Sequence, residues 1–209
     1  MILNKTLHPT GPRGFLLKFN ISRFLQSQFE SKIAKLFDKK YGLFVNSGSS
    51  ALFLGIESLG LPPNSEVITP ALTFSTSVGC LIKNKLIPVF VDVEPASFCI
   101  DTKKIEEKIS RKTRAILAPN LMGNLCDWKA IRKIANKYKL LVIEDSADTL
   151  GAKLNGKSSG YYSDMSITSF YGSHIINCAG NGGALTLNLS LIHISEPTRR
   201  RGISYAVFC

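Results

Sequence analysis

Short apolar strands alternate with helices of about ten residues along the middle of this chain, and this alternation restricts the fold more than any other feature. Strands are predicted at 66–69, 87–91, 114–118, 140–143, 165–171 and 184–187. Helices are predicted at 29–40, 49–59, 75–83, from 101 onward, and from a cap at Asp127 to Tyr138. Helical crossovers place successive strands side by side in parallel, with helices on both faces. The sequence therefore predicts an α/β domain built on a mainly parallel sheet.

Ligands of such sheets bind beyond the carboxyl ends of the strands, so the polar residues there are the candidates for chemistry. These residues lie at 46–50, 73–74, 92, 120, 144–145 and 169–174. Each feature has two interpretations on its own. The segment 46–50 could form a phosphate cup or an ordinary helix cap. Phe74 could stack on a flat ring or fill the core, and Asp145 could cap a turn or pair with a cationic ring nitrogen.

The net charge of +11 is concentrated in the two ends of the chain. Residues 1–28 carry +4 and residues 189–209 carry +2, which leaves +5 for the 160 or so residues between them. Basic residues between these ends recur at helical spacing, which is typical of solvated helix faces. A small polyanionic substrate suits the same charge, and neither nucleic acid nor a membrane is expected as a partner.

Five cysteines, an odd number, show no metal-ligand spacing, so reduced thiols in a cytoplasmic protein are predicted. No apolar run reaches the roughly 18 residues that span a bilayer, and the N-terminus lacks the apolar core of a secretory signal. These features favour a cytoplasmic protein without a metal site.

The two ends of the chain depart from the alternating pattern. Residues 1–22 are predicted to be an irregular and possibly truncated N-terminal segment. Residues 189–209 resemble a translated sequencing-adaptor read-through and are interpreted as a non-native tail. The predicted domain therefore covers residues 23–188.

Five motifs in this domain, in their order and spacing, resemble the DegT-type sugar aminotransferase family, which has the aspartate-aminotransferase fold, called fold type I. They are YGLFVNSGSSA at 41–51, EVITPALTF at 66–74, PVFVDV at 88–93, VIED at 142–145 and SFY at 169–171. The resemblance implies the large domain of this fold: three αβα layers with a mainly parallel sheet of about seven strands. It also implies that the full-length protein is a homodimer with a small C-terminal domain. This chain is expected to lack the small domain.

The family binds pyridoxal phosphate and acts on keto-sugar nucleotides, and the resemblance assigns a role to each matching residue. Gly48 and Ser49 are implied to hold the cofactor phosphate, with help from Ser169. Phe74 is implied to stack on the pyridine ring. Asp145 is implied to pair with the ring N–H and so keep the ring an electron sink.

The chain departs from the transaminases of the family at the catalytic position. They carry a lysine there that bonds covalently to the cofactor, whereas this chain has His174, which exchanges protons instead. The swap resembles the sugar 3-dehydrase branch, in which the cofactor works as pyridoxamine phosphate. Asp148 stands where the family often has Gln or His against the ring hydroxyl. One dehydrase type holds an iron–sulfur cluster through a cysteine at the position of Ala147, so no cluster is expected here.

The resemblance predicts C3 dehydration of a nucleotide-linked 4-keto-6-deoxy sugar, with His174 as acid and base, in deoxysugar and surface polysaccharide biosynthesis. A sugar-nucleotide aminotransferase, with an amino donor such as glutamate, is the first alternative. An inactive protein or a basic binding module is the second. The chain by itself is expected to expose unpaired apolar surface and to be inactive.

Overall fold

A computed structural model describes the backbone of residues 12–188 and the side chains of residues 23–188. The predicted tail at 189–209 and the first eleven residues lie outside this part. Helix α1 spans Pro12–Leu36. Residues 12–22 therefore form part of a helix, and the prediction of an irregular segment is wrong for them. Phe29 and Ile33, which lie in the predicted helix 29–40, pack in the core as expected, but the helix begins at Pro12 and ends at Leu36.

The remaining elements alternate as the sequence predicts, although their ends move by one or two residues. The helices are α2 (Gly48–Ser58), α3 (Ser75–Lys83) and α4 (Trp128–Tyr138). The strands are β1 (Tyr41–Val45), β2 (Glu66–Pro70), β3 (Ile87–Val91), β4 (Thr113–Pro119), β5 (Leu141–Asp145), β6 (Lys153–Leu154), β7 (Lys157–Ser158), β8 (Met165–Ser169) and β9 (Gly183–Leu187).

Three local features differ from the sequence-based expectations. The helix expected from Asp101 is two short 3-10 turns, Thr102–Lys104 and Glu106–Lys108, because its apolar residues are too few for a buried helical stripe. Strand β1 was not predicted as a strand, although its residues open the first motif. The β6–β7 hairpin turns at Asn155 and Gly156, whose positive φ angles of 52° and 78° suit a tight hairpin.

Seven strands form one sheet in the order β1-β9-β8-β5-β4-β2-β3. Strand β9 runs antiparallel to both β1 and β8, and every other pair in the sheet is parallel. Six strands thus end at one edge of the sheet, and β9 begins at that edge. The mainly parallel seven-stranded sheet is confirmed.

Helices cover both faces of the sheet, which gives the three expected layers. Helices α2 and α3 lie on one face, where Leu52 and Leu81 are buried among the strands. Helix α4 covers the other face, with Trp128 fully buried, and α1 packs Ile33 and Phe37 beside Phe170 on that same face. Among the described residues, none of the helices combines the length and the hydrophobicity that a bilayer span requires.

Candidate cofactor site

Helix α2 starts at the carboxyl edge of the sheet, directly after β1. Ser47 is the N-cap, and its hydroxyl accepts a hydrogen bond from the Ser50 amide at 3.1 Å. The amides of Gly48 and Ser49, in the first turn, have no acceptor within the helix because they precede the first i to i−4 bond. Unpaired amides and the helix dipole favour an anion, so this helix end can bind a phosphate.

Two glycines allow β8 and β9 to approach the start of α2 closely. A Cβ added to Gly48 would lie 2.8 Å from the Ser169 Cβ, and a Cβ added to Gly183 would lie 2.3 Å from the Ser47 carbonyl carbon. Both distances are too short for any side chain. The glycines thus place the Ser169 hydroxyl beside the free amides of α2, so Gly48, Ser49 and Ser169 come together at one point.

Asp145 ends β5 and is buried on the α2–α3 face of the sheet, with 8% of its surface exposed. One carboxylate oxygen accepts from the Ala147 amide at 3.2 Å, and the other accepts from the Ser77 hydroxyl at 3.3 Å. Burial raises the pKa of Asp145 to about 6, against an ordinary value of 3.8, although both hydrogen bonds act to lower it. The carboxylate lacks a cationic partner among the described residues, so this position suits a cationic ligand atom.

Phe74 is the N-cap residue of α3 and exposes 66% of its surface at the same edge. Its carbonyl oxygen accepts from the Ser77 amide at 3.0 Å, which connects it through α3 to the residue that contacts Asp145. An exposed aromatic ring held on a helix start offers a face for stacking. The position does not fit the alternative of a core aromatic.

His174 lies in the loop after β8, where it pairs with Asp148 from the loop after β5. The distance from His174 Nδ1 to Asp148 Oδ1 is 3.3 Å. The other oxygen of Asp148 accepts from the Met122 amide at 3.0 Å, from the loop after β4. Three loops at one sheet edge therefore fix the imidazole, and its Nε2 atom is the nitrogen left for other contacts.

Glu144 supports the edge of the sheet from its opposite face, since neighbouring residues of a strand point to opposite faces. It is fully buried and accepts four hydrogen bonds, from the side chains of Asn120, Ser146, Ser163 and Ser166. Asn120 also accepts from the Trp128 indole N–H at 2.9 Å, which ties this network to α4. The network connects the ends of β4 and β5 to the start of β8 below the site.

Sequence reasoning missed Ser77 and Lys39 as supporting residues, and it named Glu144 only as a polar residue at the end of a strand. Ser77 had a readable signal, since it lies one turn after Phe74 in a predicted helix that begins at the same edge. Lys39 is buried, and its ammonium donates to the carbonyl oxygens of Gly160 and Ser163. Burial lowers the pKa of Lys39 to about 8. Its contacts lie more than a hundred residues away in sequence, so a local sequence pattern cannot predict them.

A group of three or more histidine, cysteine or acidic side chains that could hold a metal ion is absent from residues 23–188. One edge of the sheet thus carries an anion position at the start of α2, a buried carboxylate, an exposed ring and a histidine–carboxylate pair.

Three curated relatives show what this chain resembles. It is 39% identical to the 3-oxo-glucose-6-phosphate:glutamate aminotransferase of Bacillus subtilis, over 88% of this chain and 40% of that protein. It is 36% identical to the dTDP-4-dehydro-2,6-dideoxy-D-glucose 3-dehydratase of Saccharopolyspora spinosa, over 84% of this chain and 40% of that protein. It is 37% identical to the lipopolysaccharide biosynthesis protein RfbH of Salmonella typhimurium, over 83% of this chain and 42% of that protein. The chain thus spans less than half the length of these relatives.

Solved structures show the same fold with related ligands. The ntda protein of Bacillus subtilis, with bound pyridoxamine phosphate, superposes with a TM-score of 0.72 and 38% identity, over 77% of this chain and 36% of that one. The Escherichia coli GDP-4-keto-6-deoxy-D-mannose-3-dehydratase, with bound hydrated pyridoxal phosphate, has a TM-score of 0.74 and 29% identity, over 88% of this chain and 50% of that one. The expected fold type I is confirmed.

The DegT/DnrJ/EryC1/StrS aminotransferase family matches residues 24–197, which runs past the boundary predicted at 188. Because this match covers most of the chain and agrees with the fold and with the relatives, the chain belongs to the DegT/DnrJ/EryC1/StrS aminotransferase family.

Proposed function

We propose that this chain is the cofactor-binding part of a pyridoxal or pyridoxamine phosphate enzyme that removes the C3 hydroxyl of a nucleotide-linked 4-keto-6-deoxy sugar. The enzyme would serve deoxysugar and surface polysaccharide biosynthesis in the cytoplasm. The observation that carries the proposal is the His174–Asp148 pair, at the position where the transaminases carry a lysine. The similarity to a 3-dehydratase and to a lipopolysaccharide biosynthesis protein supports it.

The side chains at the sheet edge fit this cofactor by their chemistry. The free amides of Gly48 and Ser49, with the Ser169 hydroxyl, would bind its phosphate. Phe74 would stack on its ring. Asp145, buried without a cation, would bind the protonated ring nitrogen, and the paired charge would in turn lower the pKa of this carboxyl.

When bound, pyridoxamine phosphate supplies a primary amine that condenses with a ketone and a ring that withdraws electrons. The proton transfers fall to His174. Its Nδ1 faces Asp148, which holds the imidazole in one orientation. Nε2 is therefore the atom that would accept a proton and return it, in general acid–base catalysis.

A sugar-nucleotide aminotransferase is the second candidate, and one observation favours it. The relative with 39% identity is named a glutamate aminotransferase, so glutamate would be the amino donor in that case. The two candidates differ in whether the resting enzyme holds its cofactor covalently. The third candidate is an inactive protein or a basic binding module. The binding module predicts tight and salt-sensitive binding of nucleic acid without cofactor uptake.

A homodimer is part of the proposal. Large apolar side chains at the carboxyl edge are exposed, among them Phe74, Met122, Tyr171 and Ile175. Exposed apolar groups next to a site are typical of a surface that a second subunit covers. The inactivity of the chain by itself stays a prediction, and measured turnover of a keto-sugar nucleotide would contradict it.

Borohydride reduction distinguishes the first two candidates. We expect wild-type protein loaded with pyridoxal phosphate to lose its cofactor on denaturation after reduction, because His174 cannot bond to it covalently. The His174→Lys variant should retain the cofactor on residue 174, as found by mass spectrometry of the peptides. His174→Gln serves as the matched control, since it changes the same position without an amine.

Two results would count against the dehydratase. Cofactor trapped on a lysine of the wild-type protein would favour the aminotransferase. A His174→Lys variant that binds cofactor but does not trap it at residue 174 would mean that this residue does not face the cofactor.

A further inference from the structure

The loop after β4 contains a tight turn with an unusual residue at its first central position. The Asn124 amide donates to the Leu121 carbonyl oxygen at 3.0 Å, and the two residues between them, Met122 and Gly123, have positive φ angles of 55° and 85°. Two left-handed residues inside such a turn define type I′, in which Gly, Asn and Asp dominate the central positions. Met122 is in the left-handed conformation although it carries a long side chain, for which this conformation is unfavourable.

Packing of the Met122 side chain within this chain does not compensate for that conformation, because the residue exposes 73% of its surface. The segments on both sides of the turn hold the backbone instead. Before the turn, the buried Asn120 side chain donates to Glu144 at 3.1 Å. After the turn, the Asn124 side chain donates to the Ser97 carbonyl oxygen at 3.0 Å. A strained residue that its surroundings keep in place points to a role for the strain at a neighbouring site.

The Met122 amide connects this turn to the candidate cofactor site. It donates to Asp148 Oδ2 at 3.0 Å, and Asp148 Oδ1 lies 3.3 Å from His174 Nδ1. The internal hydrogen bond of a β-turn uses the amide of the fourth residue, so the amide of the first central residue is available to an outside acceptor. Its direction follows from the backbone conformation, and the left-handed state is therefore what presents this amide to Asp148.

We propose that the turn at 121–124 is a positioning element for His174, in which the left-handed Met122 aims its amide at Asp148 and so keeps the imidazole proton on Nδ1. One oxygen of Asp148 is held by the turn and the other faces the imidazole, and this arrangement fixes both the ring and its tautomer. Nε2 is left without a proton and can accept one. The inference rests on the proposed function, because acid–base chemistry at Nε2 is what requires this tautomer.

Nitrogen NMR of the whole chain reads the tautomer of His174, since protonated and bare ring nitrogens have well-separated chemical shifts. Spectra are recorded at about pH 8.5, where imidazole groups are commonly neutral. The His174→Gln variant identifies the signals of this residue among the three histidines of the chain. We expect the proton on Nδ1 in the wild type. The Asp148→Ala variant, which lacks the partner, should give a mixture of tautomers and so supplies the signal of an unpaired imidazole.

Substitutions at Met122 test the turn itself. Glycine and asparagine adopt a positive φ readily, so Met122→Gly and Met122→Asn should keep the wild-type signal. Valine is β-branched and resists this conformation, so Met122→Val should move the signal by about half or more of the difference between wild type and Asp148→Ala. Lys85→Val is the matched control, since Lys85 has a φ of 58° in the turn before β3, at the opposite edge of the sheet. It should leave the signal unchanged.

A wild-type signal in Met122→Val, or an unpaired signal in Met122→Gly, would overturn the role of the turn while the proposed function stands. An unchanged signal in Asp148→Ala would overturn the His174–Asp148 pairing, on which the proposed function and this inference both depend. Circular dichroism checks folding. If Met122→Val does not fold, hydrogen exchange decides: the Met122 amide should exchange at least about tenfold more slowly in the wild type than in Asp148→Ala, and equal rates would overturn the proposal.

Discussion

Replacing Asp145 with asparagine should weaken binding of pyridoxal phosphate by about thirtyfold or more. The substitution removes the buried carboxylate that would pair with the ring nitrogen, and no other anion is assigned to that nitrogen. Loss of one partner of such a pair lowers the binding free energy by about 2–5 kcal/mol. Asparagine keeps the shape of the side chain and can still bond to the Ser77 hydroxyl and the Ala147 amide. Titration of the cofactor-free protein, followed by cofactor absorbance, measures the effect.

The same substitution should make the cofactor-free protein more stable at pH 8. Below pH about 4, Asp145 is protonated in the folded and the unfolded state and costs nothing. As pH rises from there to about 6, the unfolded chain releases the proton first, so the raised pKa lowers the free energy of unfolding. Above pH 6 the full cost, about 3 kcal/mol, persists. Urea unfolding should therefore show a gain of about 1–3 kcal/mol at pH 8 that disappears near pH 4.

Asp92→Asn is the matched control, because Asp92 is an exposed acid that follows a strand of the same sheet but pairs with Lys104 and has no role assigned toward the cofactor. It should leave cofactor affinity unchanged, and it should not reproduce the gain in stability at pH 8. If Asp145→Asn binds the cofactor as tightly as wild type, the proposed partner of the ring nitrogen is wrong. If that variant is less stable at pH 8, the carboxylate is stabilised by its surroundings in the free protein.

Replacing Gly183 with alanine should lower the free energy of unfolding by about 3 kcal/mol. The added Cβ would lie 2.3 Å from the Ser47 carbonyl carbon and 2.5 Å from the Gly48 nitrogen. These are backbone atoms, so the clash cannot be relieved by a side-chain rotation. Relief requires β9 and the start of α2 to separate, and the phosphate position between them should therefore also lose affinity. Urea unfolding and cofactor titration measure the two effects.

Gly79→Ala provides the matched control, since it makes the same chemical change inside α3 where no atom lies within 4 Å of the added Cβ. Alanine favours helix over glycine, so this variant should be about 0.5–1 kcal/mol more stable than wild type. Equal effects at the two positions would show that the close approach at Gly183 does not matter for stability.

The fold could be predicted from the sequence wherever local pattern and tertiary structure agree. The bounds of β3 and α3 match the prediction, and Asp127 caps α4 as expected, with its side chain accepting from the Ala130 amide. The direction of β9 could not be predicted, because an antiparallel strand and a parallel strand have the same apolar pattern. The short 3-10 turns after Asp101 carried a cap and acidic residues typical of a helix, and only their small buried surface reveals the difference.

The candidate site was predictable as a set of residue types and not as a set of contacts. Position at the end of a predicted strand identified Asp145 and Ser169, and the family resemblance added His174 and its role. The contact between His174 and Asp148 depends on two loops 26 positions apart in sequence, and their path is set by the Met122 amide. The conformation of these loops depends on how three strands pack together, and this packing cannot be predicted from a single sequence.

The place of β9 between β1 and β8 has a consequence for synthesis of the protein. Strand β1 has its sheet partner in β9, which leaves the ribosome after the other strands described above. During synthesis, the first turn of α2 therefore lacks the contact with β9 until that strand has been made. Pairing of segments so distant in sequence also makes folding slow. Since Gly183 must reach Ser47 before the anion position exists, the cofactor cannot act as an early template for folding. It can bind and retain only chains whose sheet has already closed.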